Sequence, residues 1–308
     1  MKCIIIYYSQ TGNTEKIAKA IQIGIRKIAK RCDLVKIKDA NPHRLYEYDL
    51  IGLGSPVYGH EPDNFKIFIN NMTSVGGKHV FVFCTHGTNE SRYFPSVASK
   101  LKSKGVIVTG MRDWYGSVFL PEMPKPYPTD GHPDEIDLKE AEDFGKEMAE
   151  NSLKIYAGKT ELIPPEPQKE PPYPEIIEGV DLKNKFKFLV KFSKELCLYP
   201  KCRLCVDNCP MDGIDLSVNP VVFAKPCINC TFCSEICPTG AVDISDYLTI
   251  WGPLAKSLRG GFMAESLLEP EKTGHFRRLV PIDKVGYSTP LYKVHTKHPQ
   301  WVIGKGLQ

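Results

Sequence analysis

The amino-acid sequence predicts a two-part α/β protein: a doubly wound domain built on a five-stranded parallel sheet, then a smaller cysteine-rich domain. Three observations carry that expectation. Short apolar, β-branched runs alternate with amphipathic stretches over residues 1–157, the pattern of a sheet covered by helices on both faces. A proline-rich run, Leu162–Pro174, then interrupts the chain. Beyond it, eight of the 11 cysteines fall between Cys197 and Cys237.

The predicted strands are Lys2–Tyr8, Asp33–Ile37, Asp49–Gly54, His79–Thr85 and Val106–Gly110. Helices are expected over Thr14–Lys30, Asn64–Asn71, Arg92–Lys104 and Ile136–Ile155. The first places Ile17, Ile21, Ile25 and Ile28 three and four residues apart, which makes one apolar stripe. Proline recurs too often in 162–174 for a helix or a central strand, so 158–180 reads as an extended linker. Asp181–Leu198 reads as a basic amphipathic helix that packs Phe186 and Val190 and turns its lysines to water. The cysteine-rich domain spans 181–250 and contains one internal repeat, Cys202–Leu216 echoed by Cys230–Ile244. Residues 251–308 lack periodicity, contain Trp251 and Trp301, and read as a tail lying against a domain or a partner.

Composition narrows the class. In a chain of 308 residues, 42% hydrophobic and 25% charged, there is enough apolar material for a sizeable core. A net charge of +4 is too mild to call for nucleic acid or an anionic membrane. No apolar stretch approaches the roughly 20 residues of a spanning helix, and Cys3–Tyr8 is too short for a secretory signal core. The expectation is a soluble, cytoplasmic protein, and in that reducing compartment clustered cysteines hold metal more readily than they form disulfides. Cys3 and Cys84 fall in predicted strands and read as buried core thiols, whereas Cys32 falls at a predicted helix end.

The loop after the first strand is Ser9-Gln10-Thr11-Gly12-Asn13-Thr14. Backbone N–H groups at the start of a helix, with hydroxyls beside them, make an anion site. The loop has neither the lysine of a Walker A motif nor the spacing of G-x-G-x-x-G. Binding a terminal phosphate through amides and hydroxyls, without a metal, suits a mononucleotide such as FMN. Two further loops end predicted central strands, where open α/β sheets bind ligands. In Ser55-Pro56-Val57-Tyr58-Gly59 the tyrosine is placed to lie against a flavin ring, or else is a surface residue. In Thr85-His86-Gly87-Thr88 the backbone is placed to meet the ring's polar edge, and His86 reads as a ring-edge or solvated loop residue. The segment Arg112–Pro133, with Trp114, Tyr115 and His132, either covers the flavin or pads a domain interface. His60, His86, His132, Tyr58 and Tyr115 are the candidate proton donors, and none stands out.

In the second cysteine run, Cys227-x-x-Cys230-x-x-Cys233-x-x-x-Cys237-Pro238, the first three thiolates have the spacing that wraps one face of a [4Fe-4S] cube, and the fourth, before proline, is placed to reach a second cluster. A zinc site needs four ligands and leaves the two Cys-Pro runs unexplained. In the first run, Cys202-x-x-Cys205-x-x-x-Cys209-Pro210, Tyr199 occupies the place of the expected first cysteine and Cys197 lies two residues upstream. Cys197 completes the cluster if Pro200 shapes the longer loop; otherwise this cluster is [3Fe-4S] or has an open iron.

Ser9–Thr14 resembles the flavodoxin phosphate loop, and the cysteine runs resemble two-cluster bacterial ferredoxins. Together they resemble flavodoxin/ferredoxin fusion proteins of anaerobes. The resemblance implies a 2-1-3-4-5 sheet followed by a small α+β ferredoxin-like domain. It also implies FMN and two [4Fe-4S] clusters, one on Cys197, Cys202, Cys205 and Cys237, the other on Cys209, Cys227, Cys230 and Cys233. Its chemistry is electron transfer with a redox protein partner such as a ferredoxin or a hydrogenase-like oxidoreductase. Two alternatives are an FMN-dependent reductase fed through the clusters, and a subunit of a larger complex. Small mobile flavodoxins are markedly acidic, whereas residues 1–157 here are nearly balanced in charge, which favours a built-in partner. An extended linker also makes a dimer, with clusters over the other subunit's flavin, one expected arrangement.

Overall fold

The structure, a computed structural model, describes residues 1–118, 126–168, 190–218, 222–223, 227–228, 230–246 and 266–285. The chain divides into two compact units, the first comprising Met1–Ser117 and Thr129–Pro171. Its sheet has five parallel strands: β1 (Lys2–Tyr7), β2 (Arg31–Lys36), β3 (Leu50–Pro56), β4 (His79–His86) and β5 (Ile107–Tyr115). Their order is β2-β1-β3-β4-β5, as the resemblance implied. Four helices flank it: α1 (Asn13–Arg26), α2 (Asp63–Asn71), α3 (Tyr93–Ser103) and α4 (Glu135–Tyr156). The central strands read as unbroken apolar runs because both faces are covered: β4 is buried at every residue, and β3 at all but Pro56. The order reverses between β1 and β3, so the crevice beyond their C-terminal ends is where an open sheet of this kind takes a ligand.

One face of the sheet is sealed by α1 and α4, whose backbones approach so closely that two glycines are required. A Cβ on Gly24 would lie 1.8 Å from the Glu142 carbonyl oxygen, and one on Gly145 would lie 2.2 Å from that of Ile21. Ile17, Ile21 and Ile25 pack there with Phe81, Phe83, Trp114, Phe144 and Met148. At the start of α4, Asp134 accepts the N–H groups of Ile136 and Asp137, and the Asp137 carboxylate accepts the N–H of Asp134.

β5 runs five residues past the expected Gly110. Its ladder with β4 continues through Arg112–Tyr115, paired with Phe83–His86. The charges of Arg112 and Asp113 conceal this in the sequence, yet each has a partner: Arg112 reaches Glu140 and Asp113 reaches His86. Trp114 and Tyr115 are therefore buried strand residues, not part of a covering loop, and Trp114 packs edge-on against Phe144 at 5.7 Å. Residues 119–125 of that segment lie outside the described residues. Cys3 and Cys84 are buried as expected. Cys32 lies in β2 directly beside Cys3, because α1 stops at Arg26 and its Gln22 and Arg26 side chains donate to the Cys32 carbonyl.

The described elements of the second unit are much shorter. Strand β6 (Lys191–Phe192) pairs antiparallel with β9 (Val242–Asp243), and β7 (Ile214–Asp215) with β8 (Val222–Phe223). The described helices are α5 (Leu204–Asp207), α6 (Phe232–Glu235) and α7 (Leu268–Lys272). The sequence repeat reappears as a structural one: α5 leads to β7 as α6 leads to β9. The helix expected over Asp181–Leu198 is not formed at its described end. Phe192 pairs with Val242 and the Ser193 N–H donates to the Ala241 carbonyl at 2.8 Å, a ladder that a helix would forfeit. Residues 181–189, Trp251 and Trp301 lie outside the described residues. No described helix is long and apolar enough to cross a membrane.

Candidate cofactor sites

The chain leaves β1 and turns through Ser9–Gly12 into α1. Gly12 sits at the helix N-cap with φ +97°, in the left-handed region where a side chain is strained, and no side chain caps the first turn. Its own N–H donates to Ser9 Oγ at 3.1 Å. The first N–H groups of the 14-residue α1 thus point out at the positive end of the helix dipole. Thr11 is half-buried in the loop. Asn13 Nδ2 donates to the Ser117 carbonyl at 2.8 Å, tying the loop to the segment after β5. Thr14 turns inward, buried, with its hydroxyl 2.8 Å from that of Thr85 at the end of β4.

The second loop meets the first across the crevice. The Tyr58 hydroxyl donates to Gln10 Oε1 and lies 3.4 Å from the Tyr8 hydroxyl. Gly59, with φ +74°, lets the chain fold back so that the Tyr58 N–H reaches the His60 carbonyl at 2.9 Å. Ser55 is deeper, inside β3, its hydroxyl 2.9 Å from that of the buried Tyr93. Pro56 ends the strand, and the Val57 N–H donates to the Thr85 carbonyl at 3.0 Å.

Thr85 and His86 are the last residues of β4, with Gly87 and Thr88 half-buried after them. The His86 side chain is only 2% exposed. Its Nε2 lies 2.8 Å from Asp113 Oδ2, the Tyr115 ring packs edge-on at 4.7 Å, and Nδ1 has no hydrogen-bond partner. Glu90 adds a second carboxylate: one ligand atom from each of His86, Glu90 and Asp113 lies within 4.8 Å of the others. Burial, helped by Asp113 and Glu90, pushes the Tyr115 hydroxyl well above the usual phenol range, so it stays protonated. His132 is also buried, but its Nδ1 is held 2.5 Å from Asp137 Oδ2 in the cap of α4. Sequence reasoning missed Asp113 and Glu90. Asp113 becomes visible only when β5 is carried on to Tyr115, two residues along on the same strand face. The outward amides at Gly12 and the orphaned His86 nitrogen fit a ligand with an anionic end and a ring with a polar edge, as FMN has.

In the second unit the thiols of Cys197, Cys202, Cys205 and Cys237 line one cavity, walled by Phe192, Leu204, Leu216 and Val242. Burial raises the Cys205 thiol to about 11, and the neighbouring Cys237, Cys197 and Cys202 add to the shift. Burial also raises the Cys233 thiol, with Cys230, Cys227, Cys205 and Cys209 as its neighbours. Such crowded thiols release their protons together only to a metal, which fits an iron–sulfur cluster. Amides are already aimed at sulfur: the Tyr199 N–H lies 3.4 Å from Cys197 Sγ and the Gly213 N–H 3.3 Å from Cys209 Sγ. At Cys237 burial alone would raise the thiol, but hydrogen bonds from the Thr239, Val242 and Ala241 backbone outweigh it and hold the thiol below its ordinary value.

Residues 4–108 match the flavodoxin domain family. The chain is 28% identical over 149 residues to a flavodoxin of Clostridium beijerinckii, covering 47% of this chain and 97% of that protein. It is 32% identical over 167 residues to an uncharacterized protein of Methanocaldococcus jannaschii, covering 49% of this chain and all of the other. Over 57 residues it is 40% identical to an uncharacterized ferredoxin of the same organism, covering 18% of this chain and 92% of the relative.

Proposed function

Because the chain carries a flavodoxin domain in its N-terminal half and belongs to the ferredoxin family over a short region, we propose that it is an electron-transfer iron–sulfur flavoprotein. It passes electrons between FMN, two [4Fe-4S] clusters and an external redox protein. FMN supplies the exchange of one or two electrons and each cluster the exchange of one. The polypeptide binds and tunes. The amides of α1 and Ser9 hold the phosphate, the Gln10–Tyr58 and Thr14–Thr85 contacts keep the three loops in place, and the N–H···S bonds adjust the cluster potentials.

The observation that carries this reading is the cavity shared by Cys237 and Cys197, Cys202 and Cys205. Cys237 comes from the second half of the repeat and the others lie in or beside the first, which is the ligand exchange of two-cluster ferredoxins. The place of Cys197 in the same cavity supports its membership of that set.

The test is anaerobic purification followed by stepwise reduction, with flavin absorbance and the EPR of the clusters recorded together. One FMN and two four-iron clusters per chain, reoxidised by protein partners alone, is the expected result. A protein that holds neither flavin nor iron overturns the proposal. A small molecule that takes two electrons at the flavin would make it a reductase.

A further inference from the structure

The segment that carries Cys197 turns apolar side chains outward. Leu196 is 49% exposed, Leu198 52% and Tyr199 37%. Two tight turns hold them there: the Cys197 N–H donates to the Lys194 carbonyl and the Cys202 N–H to the Leu198 carbonyl, each at 3.2 Å. The same residues reach the thiols. Leu198 also lines the cavity of Cys197, Cys202, Cys205 and Cys237, and the Tyr199 N–H lies 3.4 Å from Cys197 Sγ. One wall of that cavity is therefore also protein surface. Three neighbouring apolar side chains left in water mark a place where something binds.

Charge says what binds. Lys194 and Lys201 flank the patch, both are exposed, and neither ammonium has an ion-pair partner among the described residues. Glu195, whose carboxylate accepts the Ser193 hydroxyl at 2.9 Å, is the single acid between them, and Arg203 is paired with Asp207 at 3.2 Å. The rim keeps a net positive charge. An apolar centre inside a basic rim fits a protein that sets carboxylates around an apolar contact. We propose that Lys194, Leu196, Leu198, Tyr199 and Lys201 form the docking surface of a small acidic one-electron carrier protein, and that electrons cross between carrier and chain at the Cys197 cluster. Each encounter moves one electron: the donor centre is oxidised by one, the acceptor centre is reduced by one, and no bond is made or broken. The proposal rests on the iron–sulfur reading above.

The probes are a small two-cluster ferredoxin of net negative charge and, for the opposite charge, cytochrome c. Binding is read first, with every protein oxidised so that no electron moves. An amine-acylating reagent labels the full chain with clusters intact, and mass spectrometry follows Lys194, Lys201 and the exposed Lys30 and Lys154 of the first unit. The free chain should label at all four. Ferredoxin should protect Lys194 and Lys201 alone, and cytochrome c should protect neither. Stopped-flow oxidation of the reduced chain by ferredoxin then gives a second-order rate. Lys194→Glu with Lys201→Glu should lower it about tenfold at low salt, a gap that closes at about 0.5 M salt. Leu196→Ser with Tyr199→Ser should lower it about tenfold at either salt. Lys30→Glu with Lys154→Glu changes the net charge equally and should alter the rate less than about twofold. Cluster EPR, melting temperature and oxidation by methyl viologen should be unchanged in every variant. Lys194 and Lys201 protected in the free chain would give the patch to the chain itself or to a second copy and overturn the inference. So would a charge-reversed protein as fast as wild type, or equal protection by both probes. A chain without iron fails the underlying reading; one that holds both clusters and fails these tests fails the docking surface alone.

Discussion

In the first unit β3 and β4 bury nearly every residue, and three loops at their C-terminal ends and that of β1 are joined by direct hydrogen bonds. In the second unit no described strand exceeds two residues, and the described helices there have four or five. Among its described residues the buried apolar side chains are few: Ile214, Phe232, Ile236, Val242, Ile244, Leu267 and Phe276 stand out. A pair of two-residue strands does not hold itself together in water. The first unit therefore frames its site by burying apolar surface, whereas on the proposed reading the second depends on the bonds its cysteines make to iron. Cofactor loss should be a local event in one and a folding event in the other.

The largest expected effect breaks that symmetry directly. Removing iron with a chelator, or replacing Cys233 with serine, should abolish hydrogen-exchange protection over 190–246 and leave the sheet of the first unit protected. Exchange mass spectrometry with and without chelator checks this; a second unit that stays protected without iron would show that its apolar residues suffice. The mirror experiment attacks the packing of the first unit. Gly145→Val drives a side chain into the Ile21 backbone, whose carbonyl oxygen lies 2.2 Å from the required Cβ. It should cost about 3 kcal/mol of stability, read from urea unfolding of the first unit, with the cluster EPR signals unchanged.

Titration sharpens the comparison further. Burial raises the thiols of Cys3 and Cys32 from 9.0 to about 12, Cys3 itself adding to the shift at Cys32. The folded state holds both neutral while the unfolded chain ionises them near pH 9.0. Their contribution is therefore complete below pH 9.0 and is lost as pH rises from there toward about 12. The expected slope is on the order of 1 kcal/mol per pH unit for each thiol, and urea midpoints at pH 8, 9 and 10 measure it. Replacing both with alanine should flatten the slope. The smallest effect is at the cap of α4: Asp134→Ala removes the acceptor for the Ile136 and Asp137 N–H groups and should cost about 1 kcal/mol, a few degrees in melting temperature.

The elements easiest to foresee were those whose surroundings are uniform. Buried central strands must be apolar throughout, so β1, β3 and β4 were legible from Ile4–Ile6, Leu50–Leu53 and Val80–Phe83. The edge strand was not. Its outer end carries Arg112 and Asp113, which read as loop until their partners Glu140 and His86 are in view. Likewise Lys191–Phe192 looked helical beside its lysines, because a two-residue strand leaves no period to detect and exists only through Val242–Asp243. His86 looked like a loop histidine because nothing in Thr85-His86-Gly87 announces that β4 extends that far or that a carboxylate waits on β5.

By itself the sequence determined most of the sheet's strands, the turn at Gly12 and the spacing of the eight cysteines, because each depends on neighbours within a few positions along the chain. Only the tertiary structure decided that Cys197 shares a cavity with Cys237, that Thr14 spends its hydroxyl on Thr85, and that His86 is buried with one nitrogen tied to Asp113 and the other without a hydrogen-bond partner. Those facts depend on residues 27 to 71 positions apart. Local propensity carries no record of such pairs; packing of the folded chain brings them together.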